Sequence, residues 1–389
     1  MAWTVPSVAQ ALIYAKDVWV EGKRDSFWSK YINGADGIIE YMPDIEKDPG
    51  DDIKIWMVEN LEGGGLNNYL VDGHGDGLAS TDGSGIQASP SITTFGAETG
   101  RLIGYDKAND ETVNRREDVV YRSDNMRLGQ FRHFIQSPGR HFHDASGFDF
   151  NAHCKKLLTN WVSNYLNYIL ASHVCGNSKF TFPAAAKEPA SGTGVRTRWI
   201  YGGVATSEAT IDSDCAFNCE CISRAKYYAS VAVPKIEPAM DKNGQPYFLM
   251  VISPEQRHTL RADPEWKNAN LYAGPRTDAN DIRTGALGEY DGVVILCSET
   301  IYKATVSGTK VARAVLLGKK AVCLAKTKQE FWVTNNSGDT ADFEDKPAQS
   351  YTSNIACTKP QFVYSGTSKA DYAVITVSTY AEAPVAVAS

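Results

Sequence analysis

One long amphipathic run, Phe148 to Gly176, restricts this chain more than any other feature. Leu158, Trp161, Val162, Tyr165, Leu166, Ile169 and Leu170 recur at i, i+3, i+4, i+7 and i+8, the apolar stripe of a helix lying on a core. Asp149 or Asn151 can cap its start, and Gly176 marks its stop. Such a helix spans about 40 Å. A second long element comes before it. From Asp52 to Glu59, Ile53, Ile55 and Met57 alternate with Lys54, Trp56 and Val58, the pattern of a half-buried strand. Glu117 to Gln136 is strand-like again, so an extended hairpin leaves at Ile53 and returns near Gln136. Between them, Glu62 to about Asn109 is crowded with glycine, serine, threonine and aspartate, an excursion with little core of its own. One long helix beside one long hairpin is an unusual pairing for a compact enzyme.

The stretch Gln245 to Leu296 reads as a rigid strand–helix–turn–strand block. Tyr247 to Ile252 is continuously apolar, as in a strand covered on both faces. Ser253-Pro254 supplies an N-cap and a first-turn proline, Glu255 suits the helix dipole, and Asp263-Pro264 ends the helix. Gly285, Gly288 and Gly292 bracket a turn into the buried-type strand Val293–Leu296. Elsewhere, Val8 to Ile32 reads as one or two helices, with Val8, Leu12, Ala15 and Trp19 at helical spacing and an apolar knot at Phe27, Trp28, Tyr31 and Ile32. That segment packs either on its own domain or on a neighbouring subunit. Ile222 to Val233 is a further helix ended by Pro234, and Asp371 to Thr379 is a closing strand.

With 389 residues, 43% hydrophobic and 22% charged, the chain is an ordinary globular protein of one to three domains. Its net charge of −7 argues against a free nucleic-acid binder. MAWTVPSVAQ lacks the plan of a secretory signal, and no uninterrupted apolar span of membrane length occurs. The expectation is a soluble protein made in a cytoplasm, without membrane association. Eight cysteines are too sparse for a disulfide scaffold. Cys215, Cys219 and Cys221 cluster, but the second half of a zinc site is missing, so reduced thiols are expected. His141-Phe142-His143-Asp144 offers two histidines and a carboxylate without a third or fourth ligand fixed by sequence. Asp72 to Gly77 resembles half a calcium loop, yet Gly83 stands where the bidentate glutamate belongs. No nucleophile-elbow, metalloprotease, phosphate-loop or kinase signature appears, so no cofactor, metal or catalytic residue is assigned.

FLMVISPEQRHTLRADPEW followed by IRTGALGEYDGVVIL resembles the major capsid proteins of tailed bacteriophages, in the family named for the phage N4 major capsid protein. LGQFRHFIQSPGR leading through FDFNAHCKKLLTNWVSNYL, VARAVLLGKKAVCLA with DYAVITVST, and AKDVWVEGKRDSFWSKYI carry the same resemblance in the same order. The Gly-rich stretch from Leu66 to Asn109 and the stretch from Phe180 to Cys221 depart from it. The resemblance implies an α+β, HK97-like capsid fold. Residues 1–50 would be an N-terminal arm and 51–145 an E-loop hairpin. Residues 146–200 with 341–389 would form a peripheral domain around a spine helix at 148–176, and 201–340 an axial domain. The implied function is a self-assembling shell subunit, not an enzyme, located in the virion after assembly in the host cytoplasm. It would form pentamers and hexamers around double-stranded DNA held without sequence specificity, beside portal and scaffolding or decoration proteins. Trp19, Phe27, Trp28 and Trp56 are the expected aromatic anchors to neighbours. Arg132 and Arg140, on the hairpin's return, are the expected partners for a neighbour's carboxylates. The rival expectations are a metal-dependent enzyme using His141 and His143, and a capsid decoration protein.

Overall fold

The computed structural model describes residues 8–33, 37–58, 121–139, 150–192, 194–232, 234–240, 244–272, 286–335, 345–365 and 368–383. The first part of the chain supplies α1 (Val8–Asp25), β1 (Ile32–Asn33), β2 (Ile39–Ile45), β3 (Asp52–Val58), β4 (Tyr121–Arg127), β5 (Gly129–Gln136), α2 (Phe150–Cys175), β6 (Trp199–Tyr201) and α3 (Cys219–Ser230). Next come β7 (Ala239–Met240), β8 (Pro246–Ile252), α4 (Pro254–Ala262), α5 (Pro264–Tyr272), β9 (Ala286–Tyr290), β10 (Val293–Cys297) and β11 (Lys303–Val306). The last strands are β12 (Thr309–Leu317), β13 (Val322–Asn335), β14 (Ala348–Thr358), β15 (Gln361–Ser365), β16 (Ser368–Asp371) and β17 (Val374–Tyr380).

The larger sheet has eight strands in the order β6-β17-β12-β8-β10-β9, with β11 paired to β12 and β7 to β8. β8 and β10 run parallel, and β12 lies antiparallel between β8 and β17. Every residue of Phe248–Ile252, Val311–Leu317 and Val374–Thr379 is buried, so these strands are covered on both faces, and the polar residues among them, Arg313, Thr376, Ser378 and Thr379, are buried with the rest. The cap predicted at Ser253 is a reciprocal capping box: Gln256 N donates to Ser253 Oγ at 3.2 Å, and Ser253 N donates to Gln256 Oε1 at 2.9 Å. Gln256 Nε2 then donates to Ala312 O and Thr379 Oγ1, fastening the helix to two strands. Asp263 ends α4 as expected, but Pro264 immediately opens α5. Asp263 Oδ1 accepts from Glu265 N, so one residue stops one helix and steadies the next. Asp291-Gly292 joins β9 to β10 with both φ positive, the turn that suits strand twist.

The second sheet has five strands in the order β1-β2-β13-β14-β5. Both long helices lie on it. Leu158, Val162, Leu166, Ile169 and Leu170 of α2 are buried as the stripe predicted, and Gly176 takes φ +67° just past the helix end. Phe131 of β5 stacks on Trp161 at 5.4 Å, and Tyr14 of α1 meets Trp332 of β13 edge-on at 5.7 Å.

Three expected boundaries are revised. Residues 8–45 are not a separate arm: α1 packs on α2 through Lys155–Asp17 at 2.8 Å, Phe27 N donates to Asn167 Oδ1, and β2 is an interior strand. The hairpin pairs β3 with β4, from Asp52 opposite Arg127 to Val58 opposite Tyr121. Past Leu128 the chain joins β14 as β5, so the return expected to reach Gln136, in a hairpin drawn to residue 145, ends near Arg127. A division at residue 340 separates β13 from its partner β14, while β17, expected in the peripheral domain, belongs to the eight-stranded sheet. The glycine-rich run, Asp72 to Gly77, and Arg140 to Asp144 with His141 and His143 lie outside the described residues.

Candidate intersubunit surfaces

The charged groups buried inside this chain are bound to its own fold. Arg313 of β12 makes a two-pronged pair with Glu208, Nε to Oε1 at 2.7 Å and Nη2 to Oε2 at 2.9 Å. Its Nη1 donates to the carbonyls of Cys175 and Gly176, closing the C-terminus of α2. The rings of Trp199 and Tyr302 lie 5.1 Å and 4.6 Å from the guanidinium. Burial raises the Glu208 carboxyl, but the hydrogen bonds and charge of Arg313 outweigh it, and the net shift is downward. A second knot joins Lys359 Nζ to Asp371 Oδ2 at 2.7 Å with both side chains fully buried. Arg198, also fully buried, donates from Nε to Asp371 O and from Nη2 to Pro234 O. Buried charges persist only when paired this way, and these hold elements together.

The cysteine cluster behaves similarly. Cys215 Sγ donates to Asp212 Oδ1, and Cys219 and Cys221 are buried in the first turn of α3. Burial is the main cause pushing the Cys219 thiol up to about 12. Among the described residues no group of three or more His, Cys, Asp or Glu is placed to hold a metal ion. Among them, too, no helix is long and apolar enough to cross a membrane.

What remains unpartnered is apolar surface. On the five-stranded sheet, Phe331 lies opposite Thr352 and Thr352 opposite Arg132, while Val333 lies opposite Ser350 and Ser350 opposite Phe134. These residues therefore share one face, because directly paired residues project the same way. Phe134 is 62% exposed, Phe331 50% and Val333 49%. The small residues of β14 sit low between them. The opposite parity, Phe131, Trp332 and Tyr351, is buried under α1 and α2. On the hairpin, Trp56 is 60% exposed while its neighbours Ile55 and Met57 are buried. On α2, Leu157 and Tyr168 stand out to solvent beside a shallow groove floored by Trp161 and Tyr165.

The expected anchors thus divide. Trp56 and Arg132 are on the surface. Trp28 is wholly buried and Trp19 nearly so, its Nε1 donating to Tyr41 OH, and Phe27 is half-buried against Trp28. They pack within their own chain, because α1 lies across β13 and α2 with Ala15, Val18 and Trp19 turned inward, while Leu12, Ile13 and Val20 stay exposed. Arg140 lies outside the described residues. Phe134, Phe331 and Val333 were not singled out from sequence. The available signal was the short alternations Phe131–His133 against Arg132–Phe134, and Trp332 between Phe331 and Val333.

A model of a family described as phage capsid protein matches residues 107–383. The chain belongs to the phage capsid protein family. It is a structural protein of the virion, a major capsid protein of the phage head, with a mixed α+β fold of the HK97-like kind. No curated protein sequence matches it. Among solved structures it is similar to the capsid of Ralstonia phage GP4, with a TM-score of 0.66 and 19% identity over 99% of this chain and 96% of that one. It is similar to the cyanophage Pam1 capsid, with a TM-score of 0.61 and 16% identity over 98% and 96%. The head structure of Helicobacter pylori bacteriophage KHP40 gives a TM-score of 0.55 and 16% identity over 91% and 92%.

Proposed function

We propose that this capsid subunit assembles into pentamers and hexamers of an icosahedral tailed-phage head, and that the exposed sheet face and the hairpin carry the contacts between copies. The observation behind the reading is the row Arg132, Phe134, Phe331 and Val333 on a sheet whose other face packs under α1 and α2. Exposed aromatics beside an arginine are the composition of interface cores, and obligate interfaces commonly exceed about 2,000 Å². Trp56, on the hairpin, is the counterpart anchor. The net charge of −7 suits a container that encloses double-stranded DNA without condensing onto it, leaving neutralisation to cations. Assembly in the host cytoplasm, a portal, scaffolding or decoration proteins, no role for a membrane, and the narrower N4-type placement belong to the same proposal. Negative-stain imaging of Phe134→Ser with Trp56→Ser tests it. Folded protein without closed particles is expected, and a normal yield of particles would rule out these surfaces.

A further inference from the structure

One exposed apolar side chain is held out on a rigid, acidic mount. Val204 is 96% exposed at the tip of the turn that follows β6. Gly203 takes φ +56°, and a Cβ added there would meet Cys215 Sγ at 3.2 Å and Asp214 O at 3.6 Å. Arg224 of α3 donates from Nη1 to Tyr201 O at 3.2 Å and to Gly203 O at 3.1 Å. Gly202 N donates to Ser378 O, and Thr210 Oγ1 accepts from Thr206 N and Ser207 N. The tip is therefore fixed from both sides. Asp212 and Asp214 lie behind it, and Glu220 one helical turn before Arg224, all three exposed. The side chains of Asp214 and Glu220 make no hydrogen bond or ion pair among the described residues.

The exposed face of the five-stranded sheet has the complementary shape and charge. Arg132 with Phe134 on β5, and Phe331 with Val333 on β13, form two ridges. Ser350 and Thr352 of β14, both buried, floor the furrow between them. Ridge to ridge is two strand spacings, about 10 Å. Among the described residues, Arg132 is the one charged side chain in these three rows, and its guanidinium makes no ion pair or hydrogen bond. Val204 and Phe134 are both open to solvent, so neither covers the other within one chain.

We infer that Val204 of one copy seats in the sheet furrow of a second copy, with the carboxylates behind the tip meeting Arg132. This rests on the shell-subunit reading above and names the segment that covers the sheet face. Other exposed apolar groups fit the furrow's charge less well. Trp56 shares its hairpin face with Lys54, and Leu12 and Val20 lie one helical turn either side of the exposed Lys16. Each would bring a second cation to Arg132. Two such sheet faces set against each other would bring two arginines and no carboxylate. A contact between two different patches of identical chains closes into a ring when the rotation between copies permits it, which a pentamer or hexamer requires. Because the tip is already rigid, little ordering cost opposes its docking.

Disulfide trapping in assembled particles tests the contact. Val204→Cys with Thr352→Cys, oxidised after assembly, is expected to give a ladder of crosslinked chains on a non-reducing gel. Either change alone is expected to give single chains, which also controls for Cys297, the one native cysteine that is not buried. Assembled double-cysteine particles without the ladder, or dimers from Thr352→Cys alone, overturn the inference. Charge exchange at exposed positions gives a second readout without new cysteines. Arg132→Glu is expected to lower particle yield by about tenfold, as is Asp214→Lys with Glu220→Lys. The three changes together are expected to restore it. Folded single-patch variants that assemble normally, or a combined variant that stays defective, contradict the contact. A wild-type chain that forms only small oligomers counts against the shell reading alone, since the same disulfide within them still decides the contact. A chain that stays monomeric overturns both.

Discussion

The two sheets divide the molecule's work. In the eight-stranded sheet β8 and β12 are covered on both faces, and the polar groups among them are tied by Gln256, Arg313 and Glu208 to their own chain. In the five-stranded sheet one face lies under α1 and α2, while the other presents Phe134, Phe331 and Val333 to solvent. The first has its central strands covered within the chain and sets the stability of the single chain. In the proposed shell, the exposed face of the second is where a neighbouring copy packs. Substitutions in the two sheets should therefore be read by different instruments.

The sharpest break comes from Arg313→Ala. It leaves Glu208 buried without its partner and uncaps α2, and should destabilise the isolated chain by about 3–5 kcal/mol in chemical denaturation. A loss below about 1 kcal/mol would show that the joint is not held by this pair. Next is Leu316→Ala, fully buried on the same strand, expected to cost about 2–5 kcal/mol by the same measurement.

His173, near the end of α2, gives the comparison a pH axis. Burial, with Lys187 and Lys359 nearby and against a hydrogen bond to Phe182 O, lowers its pKa to about 4. The folded state keeps it neutral while the unfolded chain protonates near the usual histidine value of 6.5. Stability is therefore fully present above that value and lost as pH falls toward about 4, by about 3 kcal/mol in all. His173→Gln should flatten the denaturation midpoint across that window. The acid loss from Glu208, whose folded pKa is depressed, begins lower, as pH falls below its usual value of 4.5, and should survive the change. A wild-type midpoint unchanged between pH 7 and 4 would contradict the assignment.

The smallest effect on the chain belongs to the other sheet. Phe134→Ser and Phe331→Ser should each move monomer stability by no more than about 0.5 kcal/mol, yet remove particles from negative-stain fields. If they destabilise the chain as much as Leu316→Ala does, the two sheets do not differ as described.

Local signals carried the sequence reading furthest. The cap at Ser253, the stripe of α2 and the continuous apolar strands are each fixed by near neighbours in the chain, and each matches the structure. Pro264 shows the limit of such signals, since the proline that stops one helix is equally fit to begin another. The hairpin's end was hidden for a different reason. Tyr121 to Gln136 is strand-like throughout, and what redirects it is non-local: Gly129 lets Pro183 approach so closely that an added Cβ would lie 2.8 Å from the proline ring. Trp19 and Trp28 announced that they would be buried, but composition could not say by which chain. The outer sheet face was hardest to see, because Phe331, Thr352 and Phe134 become neighbours only through pairings between distant strands.

The clamp on α2 has a mechanical consequence. The helix is 26 residues long, about 39 Å, and Arg313 grips only its C-terminal end. Along the rest of its length the helix is fastened to α1 and the five-stranded sheet, through Lys155–Asp17 and the buried Leu158, Val162 and Leu166, so the Arg313 joint couples that layer to the eight-stranded sheet. With the helix and its layer moving as one body, a tilt of about 5° at the joint displaces the far end by about 3 Å, roughly the rise of one strand residue.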